Sequence, residues 1–188
     1  METRGNFIYK NPNRIFKGSR FDVLEIDAKA GEKSFKRQVV DHPGAVVILP
    51  ILDSSHLLMI KNVRQSVCQT LLELPAGTLE PHEDPLTCAK RELEEETGYR
   101  ANSTLPLFQF YASPGFCNEI LYVFLAKELT FHKQSLDETE EIEVEKISLS
   151  NALNLIRTGQ IKDAKTICTL LYYSQFNLKS DIGPGQSP

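Results

Sequence analysis

The sequence has no tryptophan, only four cysteines, and no apolar run approaching the ~18 residues that a membrane helix needs. Cys68, Cys88, Cys117 and Cys168 are scattered, with no CxxC pair. That excludes zinc-finger spacing and a disulfide framework. They read as reduced thiols of a cytoplasmic protein. The opening METRGNFIYKN lacks the hydrophobic region of a signal peptide, and no segment is suited to a membrane. A basic excess is absent too: 21 Lys and Arg stand against 25 Asp and Glu, a net charge of −4. This argues against a nucleic-acid partner, whose phosphates need neutralising. It leaves room for a small anion held by metal and local arginines. What remains is globular: 188 residues, 41% hydrophobic and 24% charged, enough for one domain with a small extra element.

The densest information lies in residues 74–99, LPAGTLEPHEDPLTCAKRELEEETGY. Asp84-Pro85 predicts a helix start, with Asp84 as cap and Pro85 in the first turn. Gly98 predicts the stop. Leu86, Ala89 and Leu93 recur at helical spacing and face a core. Glu92, Glu95 and Glu96 then share one arc, while Glu94 points to water. As a purely structural helix this is poor. Carboxylates in the last turn oppose the dipole at roughly 0.3–1 kcal/mol each. Glu92 and Glu96 repel at i, i+4 by roughly 0.2–0.5 kcal/mol. An acidic run alone is ordinarily a solvated face, but a self-repelling cluster at fixed spacing suits a hard divalent cation such as Mg²⁺ or Mn²⁺.

The spacing is specific. Gly77, Glu83, Arg91, Glu92, Glu95, Glu96 and Gly98, with Leu93 and Tyr99 at apolar positions, fit G-x5-E-x7-R-E-U-x-E-E-x-G-U, where U is apolar. Such a match arises by chance on the order of once in 10⁹ starting positions. The pattern resembles the Nudix box. Tyr99, in place of an aliphatic residue, is its one loose fit. The resemblance implies an α/β fold, the Nudix α/β/α sandwich with a mixed sheet. It also implies metal-dependent cleavage of a diphosphate linked to another group. Outside the box, His42-Pro43-Gly44-Ala45, Glu73-Leu74-Pro75-Ala76-Gly77, Ser113-Pro114-Gly115-Phe116, the acidic loop around Asp137-Glu138, and Asp163-Ala164-Lys165-Thr166 resemble the ADP-ribose pyrophosphatase branch.

In chain order, residues 1–42 read as a small N-terminal β segment with a hairpin at Ala30-Gly31-Glu32. It is too small to carry its own core and is expected to serve dimerisation. Residues 43–178 read as the catalytic domain, with strands at 43–50, 57–63, 105–111, 120–126 and 142–147. A helix capped by Ser150 follows, and a last one capped by Asp163 presents Ile167, Leu170 and Leu171 inward. Residues 179–188, KSDIGPGQSP, read as a flexible tail.

By position in the family pattern, Glu92, Glu95 and Glu96 resemble the metal carboxylates, with the Ala76 carbonyl as a further ligand. Glu83 completes or orients the site, and Arg91 orients the carboxylates. Arg37 and Arg64 resemble substrate-binding arginines, beside Gly115 and Phe116. Glu138 resembles the general base, and Glu95 shares the catalytic assignment. Phe116, Tyr9 and Phe16 are candidates to stack on a base. His82 stands where the branch often has glycine. The implied reaction takes ADP-ribose to AMP and ribose 5-phosphate, in a homodimer. Another nucleoside diphosphate derivative as substrate (an NDP-sugar, a dinucleoside polyphosphate or FAD), or a non-catalytic nucleotide sensor, remains an open alternative.

Overall fold

Strand β6 (Ala45–Pro50) lies at the centre, and its alternation divides the molecule into layers. Its six residues are all buried, as a strand covered on both faces requires. Val46 and Ile48 face one layer, together with Cys88, Ala89, Leu93, Phe124 and Ala126. Ala45, Val47 and Leu49 face the other, with Leu121, Val123, Leu125, Ala152, Ile161 and Leu170. The computed structural model describes residues 12–136 and 141–176, together with the backbone of two short paired strands, β1 (Thr3–Arg4) and β2 (Phe7–Ile8).

Strand β6 runs parallel to β11 (Ile120–Phe131) and antiparallel to β9 (Ala76–Thr78), and β10 (Tyr99–Tyr111) pairs antiparallel with β11. The sheet order β10-β11-β6-β9 is therefore mixed. A second sheet, β12-β7-β8, is antiparallel and joins β7 (His56–Arg64), β8 (Gln69–Glu73) and β12 (Ile142–Ser148). Helix α1 (Pro85–Thr97) covers one face of the central sheet, while α2 (Leu149–Arg157) and α3 (Ala164–Phe176) cover the other. This is the expected α/β/α sandwich.

The N-terminal element is a meander of β3 (Asn13–Lys17), β4 (Asp22–Ala30) and β5 (Lys33–Asp41). Most of β5 is exposed, and so are Ile15, Phe16, Phe21 and Phe35. Its end is clipped to the loop between β10 and β11. Val40 N donates to Phe116 O (2.8 Å) and Asn118 N donates to Val40 O (3.2 Å). The buried Asn118 side chain donates to Asp41 Oδ1 (2.8 Å) and accepts from His42 N (2.8 Å).

The structure corrects three expectations. Strands β10 and β11 run well beyond 105–111 and 120–126, because a long antiparallel pair forms where polar residues alternate on an exposed side. Helix α2 starts at Leu149 with Ser148 as its cap, since β12 runs straight into it; Ser148 Oγ accepts from Asn151 N (3.2 Å). In α3 the inward arc is Thr166, Thr169 and Leu170, which leaves Leu171 43% exposed. Adjacent helical residues differ by about 100°, so Leu170 and Leu171 cannot both face the core. The tail at 179–188 lies outside the described residues.

Candidate active site

Helix α1 forms as its sequence predicts. Asp84 Oδ2 accepts from Leu86 N (3.0 Å) and Thr87 N (3.2 Å), and Pro85 opens the first turn. Gly98 closes the helix at φ 78°, its N–H donating to Glu94 O (2.8 Å). Ala89 and Leu93 are buried against β6, and Leu86 packs beside them. That anchoring turns the carboxylate arc toward β9. Glu94 stays outside the arc and pairs with Arg100 (2.7 Å).

Across from the helix, β9 brings Ala76 and Gly77 against the carboxylates. Ala76 N donates to Glu96 Oε2 (2.9 Å), and Glu96 is only 2% exposed. Glu92 lies directly over Gly77. A Cβ on Gly77 would sit 1.8 Å from Glu92 Cδ and 2.0 Å from its Oε1. The glycine is thus required by close approach, because any side chain would occupy the space of the carboxylate.

Arg91 binds three of these carboxylates. Its Nε and Nη2 hold Glu83 as a fork (2.8 and 2.9 Å), and Nη1 donates to Glu92 (2.8 Å) and Glu95 (2.9 Å). The Arg91 hydrogen bonds hold the Glu83 carboxyl down at about 2. Bonds from the same carboxylates, Glu83 first, push the Arg91 guanidinium further up. Among the described residues no three acidic, His or Cys side chains are already drawn into one coordination sphere. Glu83, Glu92 and Glu95 are instead gathered around one guanidinium. The donor set is nevertheless the one a hard divalent ion takes: carboxylate oxygens on a helix beside a backbone segment, over a glycine cradle.

Arg64 ends β7 and is held as a fork by Glu73 at the end of β8 (2.9 and 2.7 Å). Glu73 is 1% exposed and also pairs with Lys165 of α3. Burial opposes ionisation of Glu73, but Arg64 and Lys165 outweigh it, so its pKa is lowered. Leu74 N donates to Thr166 Oγ1 (2.8 Å), which ties the start of α3 to the approach to β9. Gly115 and Phe116 sit at the tip of the β10–β11 loop, with Phe116 60% exposed. Arg37 lies on β5 with its guanidinium 4.9 Å from the Phe35 ring centre. The clip at Val40 brings this strand to the Phe116 loop. Glu138 and Tyr9 lie outside the described residues.

Residue by residue, then, Glu83, Arg91, Glu92, Glu95, Glu96 and Ala76 are brought together, whereas Gly115 and Phe116 lie on the loop that meets the end of β5, the strand that carries Arg37. Sequence reading missed the Glu73–Lys165 and Leu74–Thr166 ties, whose partners lie far apart in the chain. The available signal was a lone glutamate, Glu73, set between Leu71-Leu72 and Leu74.

A family model of the Nudix domain matches residues 41–170. The chain belongs to the Nudix family. This Nudix protein is 43% identical over 162 residues to an ADP-ribose pyrophosphatase of Bacillus subtilis, covering 85% of this chain and 88% of the relative. It is 37% identical to a methanol dehydrogenase activator of Bacillus methanolicus, at the same coverage of both chains. It is also 32% identical to a GDP-mannose pyrophosphatase of Escherichia coli, over 83% of this chain and 87% of that one. Its fold matches a solved structure of an ADP compounds hydrolase with TM-score 0.79 at 20% identity, covering 97% and 99% of the two chains.

Proposed function

We propose that this Nudix protein hydrolyses the diphosphate bridge of ADP-ribose to AMP and ribose 5-phosphate, with Mg²⁺ or Mn²⁺ as cofactor. The observation that carries the reading is Glu92 seated on Gly77 beside the buried Glu96, an oxygen-rich cradle that only glycine leaves open. Similarity to the Bacillus subtilis ADP-ribose pyrophosphatase supports the substrate.

In this reading Glu92, Glu95 and Glu96 hold the metal, with Glu83 and the Ala76 carbonyl completing the set. When bound, the metal neutralises the diphosphate and lowers the pKa of an attacking water. The chain's own groups do the rest. The Ala76 N–H fixes the Glu96 carboxylate through one of its oxygens. Arg91 spaces Glu83, Glu92 and Glu95, and its fork keeps the Glu83 carboxyl below its ordinary range. Glu73 presents the remaining N–H edge of Arg64 to a phosphate, where a guanidinium fork matches the oxygens. Arg37, Gly115 and Phe116 line the far end of the substrate. Glu138 takes the proton from the attacking water.

The exposed β5 edge and the uncovered Phe16, Phe21 and Phe35 support a homodimer, in which a second chain covers the N-terminal sheet. The four cysteines are free, which fits a reducing cytoplasm. Among the described residues no helix is long and apolar enough to cross a membrane.

The GDP-mannose pyrophosphatase relatives favour one second reading, an NDP-sugar as substrate. Product analysis over a panel of ADP-ribose, GDP-mannose, FAD and a dinucleoside polyphosphate separates the two. A kcat/KM for ADP-ribose at least tenfold above the others is the expected result; a preference for GDP-mannose overturns the substrate assignment.

A further inference from the structure

Helix α1 leaves its last carbonyls without intrahelical donors, as any helix does. Gly98 N serves Glu94 O, and residues beyond β11 supply further donors. Ser135 N donates to Glu95 O (3.0 Å), and His132 N donates to Gly98 O (2.7 Å). Between them the Gln134 side chain donates through Nε2 to Glu96 O (2.6 Å), with a longer contact to Ile142 O (3.4 Å) at the start of β12. Both partners are carbonyls, so the amide NH₂ must face them. The approach is close. A Cβ on Gly98 would lie 2.8 Å from Gln134 N and 3.0 Å from Phe131 Cε2. Gly98 is therefore glycine for two reasons, its φ of 78° and the segment laid against it.

We propose that Gln134 is a positioning residue of the metal site, acting through Glu96 in the helical turn that also carries Glu95. The inference rests on the reading of these carboxylates as ligands. Glu96 is gripped at both ends: Ala76 N holds its carboxylate and Gln134 holds its carbonyl. The second contact, to Ile142 O, links that last turn to the start of β12 in the other sheet. Donors at this end also offset the negative pole of the helix, which the carboxylates aggravate. Gln134 carries no charge and reaches no substrate in this account.

The test is Mn²⁺ binding, followed by electron paramagnetic resonance, to wild type and to Gln134→Met and Gln134→Glu. Methionine keeps the length but has no N–H donor. Glutamate keeps the shape and sets a carboxylate against two carbonyls. Loss of such an outer contact weakens metal binding by about 10–100-fold. The methionine variant is expected near the low end and the glutamate variant at or beyond the high end. With saturating metal, kcat is expected to fall more than KM rises, a split that simple loss of packing does not produce. Wild-type Mn²⁺ affinity in the methionine variant means space-filling only and overturns the proposal. Should that variant not fold, Gln134→Asn, whose amide falls short of Glu96 O, replaces it with the same expectation. If wild type itself binds no Mn²⁺, the ligand assignment falls first, and that outcome is recognised without any substitution.

Discussion

Replacing Gly77 by alanine isolates the cradle from the fold. The new Cβ would stand 1.8 Å from Glu92 Cδ, 2.0 Å from Oε1 and 2.3 Å from Oε2. Carbon atoms settle near 3.5–4.0 Å, so the carboxylate must retreat by about 2 Å. The retreating atoms are the end of a flexible side chain, and the backbone at Gly77 does not have the positive φ that only glycine adopts freely. Stability therefore changes little. Alanine narrows the unfolded ensemble, a gain of about 0.4–1 kcal/mol, against the weakened Glu92–Arg91 bond. Catalysis is the sensitive quantity, since a misplacement of about 1 Å can cost about 10²-fold. The expected result is a fall in kcat/KM of about 10²–10³-fold, or roughly 3–4 kcal/mol of transition-state stabilisation. The melting temperature is expected to stay within about 4 °C of wild type. The assay is Mg²⁺-dependent diphosphate hydrolysis beside a thermal melt. An alanine variant with wild-type kcat/KM would refute the cradle, and one that fails to fold would refute the separation of site from scaffold.

Other perturbations follow from the same geometry. The Glu83 pKa lies at about 2, below its ordinary 4.5, so its pairing with Arg91 stabilises the fold above that ordinary value and is lost as pH falls toward 2. The stability gap between wild type and Arg91→Gln, measured by urea unfolding without added metal, should therefore close between about pH 5 and pH 2; a gap independent of pH contradicts the assignment. Lys165→Met leaves the buried Glu73 with Arg64 as its remaining cation and should cost about 3 kcal/mol, a fall of roughly 6–12 °C in melting temperature. No measurable shift would mean that the Glu73–Lys165 pair contributes nothing. His82 adopts φ 65°, where glycine is favoured, so His82→Gly should be neutral or stabilising by up to about 1 kcal/mol in a thermal melt, and a clear loss would show that the histidine side chain has a role of its own.

Local signals carried helix α1 almost completely. Asp84, Pro85 and Gly98 each act within one turn, and the apolar spacing of Ala89 and Leu93 fixes which face is buried. The carboxylate cluster was legible for the same reason, as were the central strand β6 and the hairpin at Gly31. What escaped were features whose partners are remote. Strands β8 and β9 are short and interrupted by Pro75, and they become strands only by pairing with β7 and β6. Arg64 looked free to bind substrate, yet Glu73 already holds two of its donors. Gln134 sits in a polar stretch with no periodicity, and its role arises solely because β11 returns beside the end of α1. His82 was visible as an unusual residue, but only its backbone angle explains why glycine suits that place.

The measurement that bears most directly on the central claim is ADP-ribose hydrolysis with and without Mg²⁺, with products resolved, for wild type and Glu96→Gln. Glu96 is the buried carboxylate fixed by Ala76 N, and glutamine keeps its shape while removing its charge. The account predicts AMP and ribose 5-phosphate from wild type only when metal is present, and a loss of at least about 10³-fold in the variant, some 4 kcal/mol of transition-state stabilisation. Metal-independent cleavage, or a Glu96→Gln enzyme as active as wild type, would contradict it.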